Sequence, residues 1–153
     1  MNEILIPLLI EHEGLSLKAY HCPAGKLTIG VGHNILENRS GATALSLGLR
    51  EGSVITKEQA MQILQDDIAR VLFELRQFGW FYHLSVTRQC AIVDMLFNLG
   101  LGAFLKFKKF IAAMEAEDYA TASMEMLSSS WATQVGKRAH TLAYMVECDL
   151  LVS

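Results

Sequence analysis

Three polar side chains near the amino end of this 153-residue chain stand out as ones whose types could do chemistry. They are Glu13, Cys22 and Thr28; eight residues separate the first pair and five the second. Glu13 closes a first helical segment, in which Leu5, Leu8, Leu9 and His12 recur at i, i+3, i+4 and i+7 and Gly14 stands where a left-handed cap belongs. The carbonyl end of a helix carries partial negative charge, and Leu9, Leu15 and Leu17 are apolar neighbours in sequence, so a carboxyl there is expected to keep its proton to higher pH. A carboxylic acid that stays protonated near neutrality can protonate a leaving sugar oxygen. The competing reading of Glu13 alone is a surface carboxylate at a fraying helix end. Thr28 offers a hydroxyl that donates and accepts at once, or is simply a β-branched strand residue. Cys22 carries a thiol whose reference pKa of about 8.5 leaves only a few per cent ionised at pH 7.

Elements that would position these residues can be read around them. Leu17–Tyr20 and Lys26–Gly32 alternate, and Pro23-Ala24-Gly25 between them is a turn, which predicts a short antiparallel hairpin over roughly residues 17–33. The stretch Asn38–Ser53 is rich in Gly, Ser and Asn, with an apolar piece, Ala42–Leu49, that is either helical or irregular. Thr56 and Gln59 form a capping box, and the stripe Ala60, Ile63, Leu64, Ile68, Val71, Leu72 and Leu75 behind it predicts one long helix from about Lys57 to Arg76. The remainder reads as helices over Thr87–Leu99 (stopping at Gly100-Leu101-Gly102), Phe104–Met114, an Asp118-capped piece to Leu127 and about Lys137–Leu150, with Ser128–Ser130 as a link. The fold class is therefore α+β. A small β-containing lobe spans about 14–56, a larger helical lobe takes about 1–13 and 57–153, and the long helix joins them. A ligand site is expected in the cleft between the lobes.

Composition bounds the function. The chain is 52% hydrophobic and 19% charged, as an ordinary globular domain is, and its length suffices to bury roughly 68–70% of its unfolded surface without a metal or disulfide. A net charge of −3 argues against nucleic acid as the main partner. Cys22, Cys90 and Cys148 cannot all pair and lack CxxC spacing, which fits a reducing compartment. Met1–Ile10 has Glu3 where a signal peptide carries positive charge, so no secretion signal and no membrane insertion are expected. Lys106, Lys108 and Lys109 form a basic cluster that reads first as a solvated helix face and second as a patch attracted to wall or membrane. His33 reads as a local hydrogen-bonder rather than a metal ligand, since His12 and His21 stand at no metal-site spacing from it.

The run Glu13-Gly14-Leu15, Ala19-Tyr20, Gly25 and Thr28-Ile29-Gly30-Val31-Gly32-His33 resembles the signature of phage-type lysozymes, or endolysins. In that family a Glu, an Asp or sometimes a Cys, and a Thr form the catalytic triad at the two intervals found here. Further blocks extend the resemblance over nearly the whole chain: Val54–Lys57, Arg88–Ala91, Phe97–Gly100 and Trp131–Ala139. It implies a lysozyme-like fold and hydrolysis of the β-1,4 bond between N-acetylmuramic acid and N-acetylglucosamine of bacterial peptidoglycan, with inversion as the usual outcome and no metal or cofactor. It implies Glu13 as general acid and Thr28 as a holder of the attacking water. It places Asn98 and Gln134 on sugar, Arg138 facing the acid, and His33 among the substrate-side residues. A monomer is implied, acting at the wall after another protein has permeabilised the membrane.

Cys22 departs from the commoner Asp. As weak base toward water, as nucleophile in a double displacement, or as bystander, it remains open at this level; His21 beside it could lower the thiol pKa, although strand neighbours point to opposite faces. Two other functions compete with hydrolysis: a wall-binding protein that has lost cleavage, and a lytic transglycosylase that closes a 1,6-anhydro ring. Glu13 and the Trp131 block favour activity over the first, and Thr28 favours water attack over the second.

Overall fold

The computed structural model describes residues 1–37 and 41–152; the first three residues of the polar stretch that begins at Asn38 lie outside that set. Two compact units make up the chain: Ile6–Phe73, and Met1–Leu5 with Glu74–Ser153.

In the first unit, helix α1 (Asn2–Glu13) ends as its sequence predicts. Gly14, at φ +76°, donates its N–H to the Ile10 carbonyl at 2.8 Å, in a left-handed conformation that a Cβ would strain. Strands β1 (Ser16–His21) and β2 (Leu27–Gly30) form the expected antiparallel hairpin, and a two-residue β3 (His33–Asn34) extends it in the order β1-β2-β3. The register sets Tyr20 opposite Thr28 and Thr28 opposite Asn34, so these three share one face of the sheet. Leu27 and Ile29 face the other way, into a core with Ile35, Ile55, Ala60 and Ile63. The apolar piece after residue 41 is helical: α2 (Ala42–Leu47), closed by Gly48. Helix α3 (Lys57–Leu75) opens on the predicted capping box. Gln59 donates its N–H to Thr56 Oγ1 at 3.1 Å, and Thr56 donates its own to Gln59 Oε1 at 2.9 Å. Ala60, Ile63, Leu64, Ile68, Val71 and Leu75 are buried along its stripe.

The second unit is helical. A 3₁₀ segment, Gly79–His83, which no periodicity announced, buries Trp80 and Phe81. Helix α4 (Val86–Leu99) begins one residue before its expected start, because the Ser85 hydroxyl accepts the Arg88 N–H at 3.2 Å. The chain does not simply stop at Gly100: a short α5 (Leu101–Phe104) follows, and α6 covers Lys108–Glu115. Phe104, expected from sequence to open the next helix, closes α5 instead. Its fully buried ring meets Phe78 and Phe110 edge-on at 5.5 and 6.0 Å, and that packing fixes the break. Helix α7 (Tyr119–Leu127) is capped by Asp118, as predicted, through an N–H of Thr121 at 3.1 Å. The serine run is more than a link: Ser129 accepts the Ala132 N–H at 3.1 Å and caps α8 (Ser130–Val135), which buries Trp131. Helix α9 (Lys137–Cys148) ends two residues before the expected Leu150, at Asp149 in a left-handed conformation. A small antiparallel sheet and a majority of helix make the fold α+β and lysozyme-like, as the sequence predicts.

Candidate active site

The turn between β1 and β2 gathers two of the three candidate residues around one carbonyl. Lys26 O accepts the Cys22 N–H at 2.9 Å and the Thr28 hydroxyl at 2.8 Å, while the Gly25 N–H closes the turn on Cys22 O at 2.7 Å. Thr28 is buried and Cys22 partly so. Burial pushes the Cys22 thiol up, but the N–H groups of Lys26 and Ala24, the Thr28 hydroxyl and the Lys26 ammonium outweigh it and leave the thiol below its ordinary value. His21 is not among those groups. Thr28 has a single hydroxyl proton. Given to Lys26 O, it leaves oxygen lone pairs for a thiol proton or a water; turned toward sulfur, it stabilises the thiolate.

Glu13, at the end of α1, reaches the turn between β2 and β3. A Cβ built on Gly32 would stand 2.5 Å from Glu13 Oε1 and 2.8 Å from its Cγ, so the carboxyl packs directly on that glycine. Gly32 has φ +61°, and its missing side chain is what makes room. Leu15 and Leu17, expected as apolar cover for the carboxyl, are instead exposed, whereas Leu9 is buried. Tyr20, which sequence reasoning quoted without a role, belongs to this cluster: its phenol is pushed up by burial, then by the negative charges of Glu13 and Cys22. The signal for it was available, because Tyr20 lies two residues before Cys22 on a strand and opposite Thr28.

The other predicted residues have mostly structural partners. His33 is 1% exposed, and its Nδ1 lies 2.7 Å from Asp67 Oδ2 on α3. His33 is thus a hydrogen-bonder, as expected, but through a partner 34 residues away rather than a local one. Asn98 and Gln134 are exposed, in the second unit; Asn98 Oδ1 accepts the Trp131 indole N–H at 2.8 Å. Arg138, in the same unit, is buried and donates through Nε to Asp94 Oδ1 at 2.9 Å. Neither acid partner could be picked from spacing alone, as Asp67 and Asp94 sit inside apolar helix stripes. Among the described residues, no group of three or more His, Cys, Asp or Glu could hold a metal, and none of the cysteines is in a disulfide.

Comparison with known proteins shows the family. The phage lysozyme family model matches residues 10–144, an interval that holds the end of α1, the hairpin and the Trp131 block. An endolysin of Acyrthosiphon pisum secondary endosymbiont phage 1 is 36% identical over 138 residues, 90% of this chain and 85% of its own. A probable T4-type lysozyme of Dictyostelium discoideum is 25% identical, with 99% of this chain and 98% of its own covered. The pre-baseplate central spike protein of Enterobacteria phage T4 is 27% identical over 95% of this chain, which corresponds to 28% of that longer protein. The chain belongs to the phage lysozyme family and is a glycoside hydrolase of the lysozyme kind.

Proposed function

We propose that this lysozyme hydrolyses the β-1,4 bond between N-acetylmuramic acid and N-acetylglucosamine in bacterial peptidoglycan. Glu13 is the general acid that protonates the leaving oxygen. Thr28 positions the attacking water, and Cys22 assists it as a base. The observation that carries the reading is the packing of the Glu13 carboxyl on Gly32, in the turn that leaves β2, the strand whose Thr28 shares one carbonyl with Cys22. A lowered thiol suits a base better than a bystander, and a threonine hydroxyl beside it suits a held water better than a covalent route. Asn98, Gln134 and Arg138 serve the substrate side in this reading. The enzyme acts at the cell wall as an endolysin does, reaching it through a lesion made by another protein; among the described residues no helix is long and apolar enough to cross a membrane.

Digestion of purified peptidoglycan, followed by mass analysis of the fragments, tests the reaction. Reducing ends are expected. Anhydro ends would show transglycosylation instead, and intact glycan would show a wall binder. Anomeric NMR of the first-formed product is expected to show inversion; retention would move Cys22 from base to nucleophile.

A further inference from the structure

The basic cluster of Lys106, Lys108 and Lys109 has no part in the chemistry above, and the structure gives it a distinct setting. The three lysines line a cavity of about 440 Å³ in the second unit, with Phe107, Glu125 and Ser130 on its other walls. All three are exposed. None forms an ion pair with a described carboxylate, Glu125 included. Three uncompensated ammoniums within four residues are a local exception in a chain of net charge −3. Uncapped first-turn amides of α6 add to the same positive end.

Phe107 and Phe110 give the cavity apolar lining, and exposed apolar residues stand next in sequence to other lining residues. Leu105 precedes the first lysine and is 40% exposed; Met124 and Leu127, on α7 beside Glu125 and Ser128, are 58% and 39% exposed. Phe107, between the lysines, is partly buried. A soluble phosphate polymer would satisfy the ammoniums but leave these apolar side chains in water. A neutral lipid surface would cover the apolar side chains but offer the lysines no net charge. We infer that this face docks on an anionic phospholipid surface, where the lysines meet headgroup phosphates and Leu105, Met124 and Leu127 enter the boundary between headgroups and acyl chains. The contact is peripheral, and it depends neither on Glu13 nor on the bond that is cleaved.

Co-flotation of the full chain with vesicles tests this. Binding is expected to vesicles of phosphatidylcholine mixed with phosphatidylglycerol and not to phosphatidylcholine alone, and to weaken as salt is raised. Each lysine near such a surface is worth about fivefold in partitioning, so the triple variant Lys106→Gln, Lys108→Gln, Lys109→Gln should lose about a hundredfold. Its cleavage of soluble peptidoglycan fragments and its circular dichroism should match the parent. A second variant, Met124→Ser with Leu127→Ser, should also bind the mixed vesicles more weakly. Equal binding to both vesicle types, no binding to either, or full binding by the triple variant would overturn the inference. If the serine variant binds as the parent does and inorganic phosphate displaces both, the surface is a phosphate site and the lipid assignment fails.

Discussion

The carboxyl of Glu13 lies on the backbone of Gly32, so closely that a Cβ there would stand 2.7 Å from its Cδ. A glycine in the turn between β2 and β3 therefore sets where the side chain of α1's last residue can go. Gly32→Ala is expected to push that carboxyl aside and lower turnover at least about tenfold, with a stability loss of about 1–2 kcal/mol from the left-handed backbone. Gly48→Ala is the control: its φ is +57° with nothing within 4 Å of a new Cβ, so it carries the strain without displacing Glu13. Activity and thermal unfolding of the two variants separate the effects. Equal loss of turnover in both would mean that the contact has no bearing on catalysis.

Glu13→Gln removes the transferable proton while keeping the size of the side chain. Cleavage is expected to fall by about 10²–10⁴-fold with folding unchanged, since general acid catalysis contributes about that much. Turnover near that of the parent would show that another group delivers the proton.

Buried His33 and Asp67 tie the third strand to α3 through their 2.7 Å contact. Asp67→Asn and His33→Ala each leave a buried polar group short of a partner, at an expected loss of about 2–3 kcal/mol and about 5–10 °C in unfolding temperature. If this tie to α3 is the whole role of His33, KM for soluble glycan fragments should stay within about twofold. A large rise in KM with unfolding temperature unchanged would restore His33 to the substrate side.

Local signals in the sequence announced most of the fold that holds these residues. The cap at Gly14, the capping box at Thr56 and the Asp118 cap each satisfy backbone groups within four residues, so spacing alone finds them. Phe104 shows where that reading stops: its place is fixed by Phe78, which lies 26 positions earlier in sequence, and no local period encodes that contact. The candidate site divides in the same way. Glu13, Cys22 and Thr28 are legible from two intervals that run from the end of α1 through one hairpin, and Tyr20 from strand alternation. The acids that hold His33 and Arg138 were not legible, because each is a lone charge within an apolar helix face and its partner is remote in the chain.

Cys22 and Thr28 give the last prediction, on pH. The Thr28 hydroxyl is one of the groups that hold the thiol below its ordinary value, and Thr28→Val deletes it while preserving shape. Losing a donor to the thiolate favours the protonated thiol, so the thiol pKa must rise. If Cys22 works as a base, the activating limb of the pH–rate profile then moves to higher pH. Cys22→Asp should move the same limb the other way, toward a reference value of about 3.9, and preserve or raise activity at pH 7. The rate of thiol alkylation against pH, measured with Cys90 and Cys148 replaced, reports the thiol independently of turnover. Alkylation and activity limbs that shift together on Thr28→Val support the base. An alkylation limb that shifts while the activity limb stays, or a Cys22→Ala variant as active as the parent, would leave Glu13 and Thr28 as the catalytic pair and Cys22 outside the reaction.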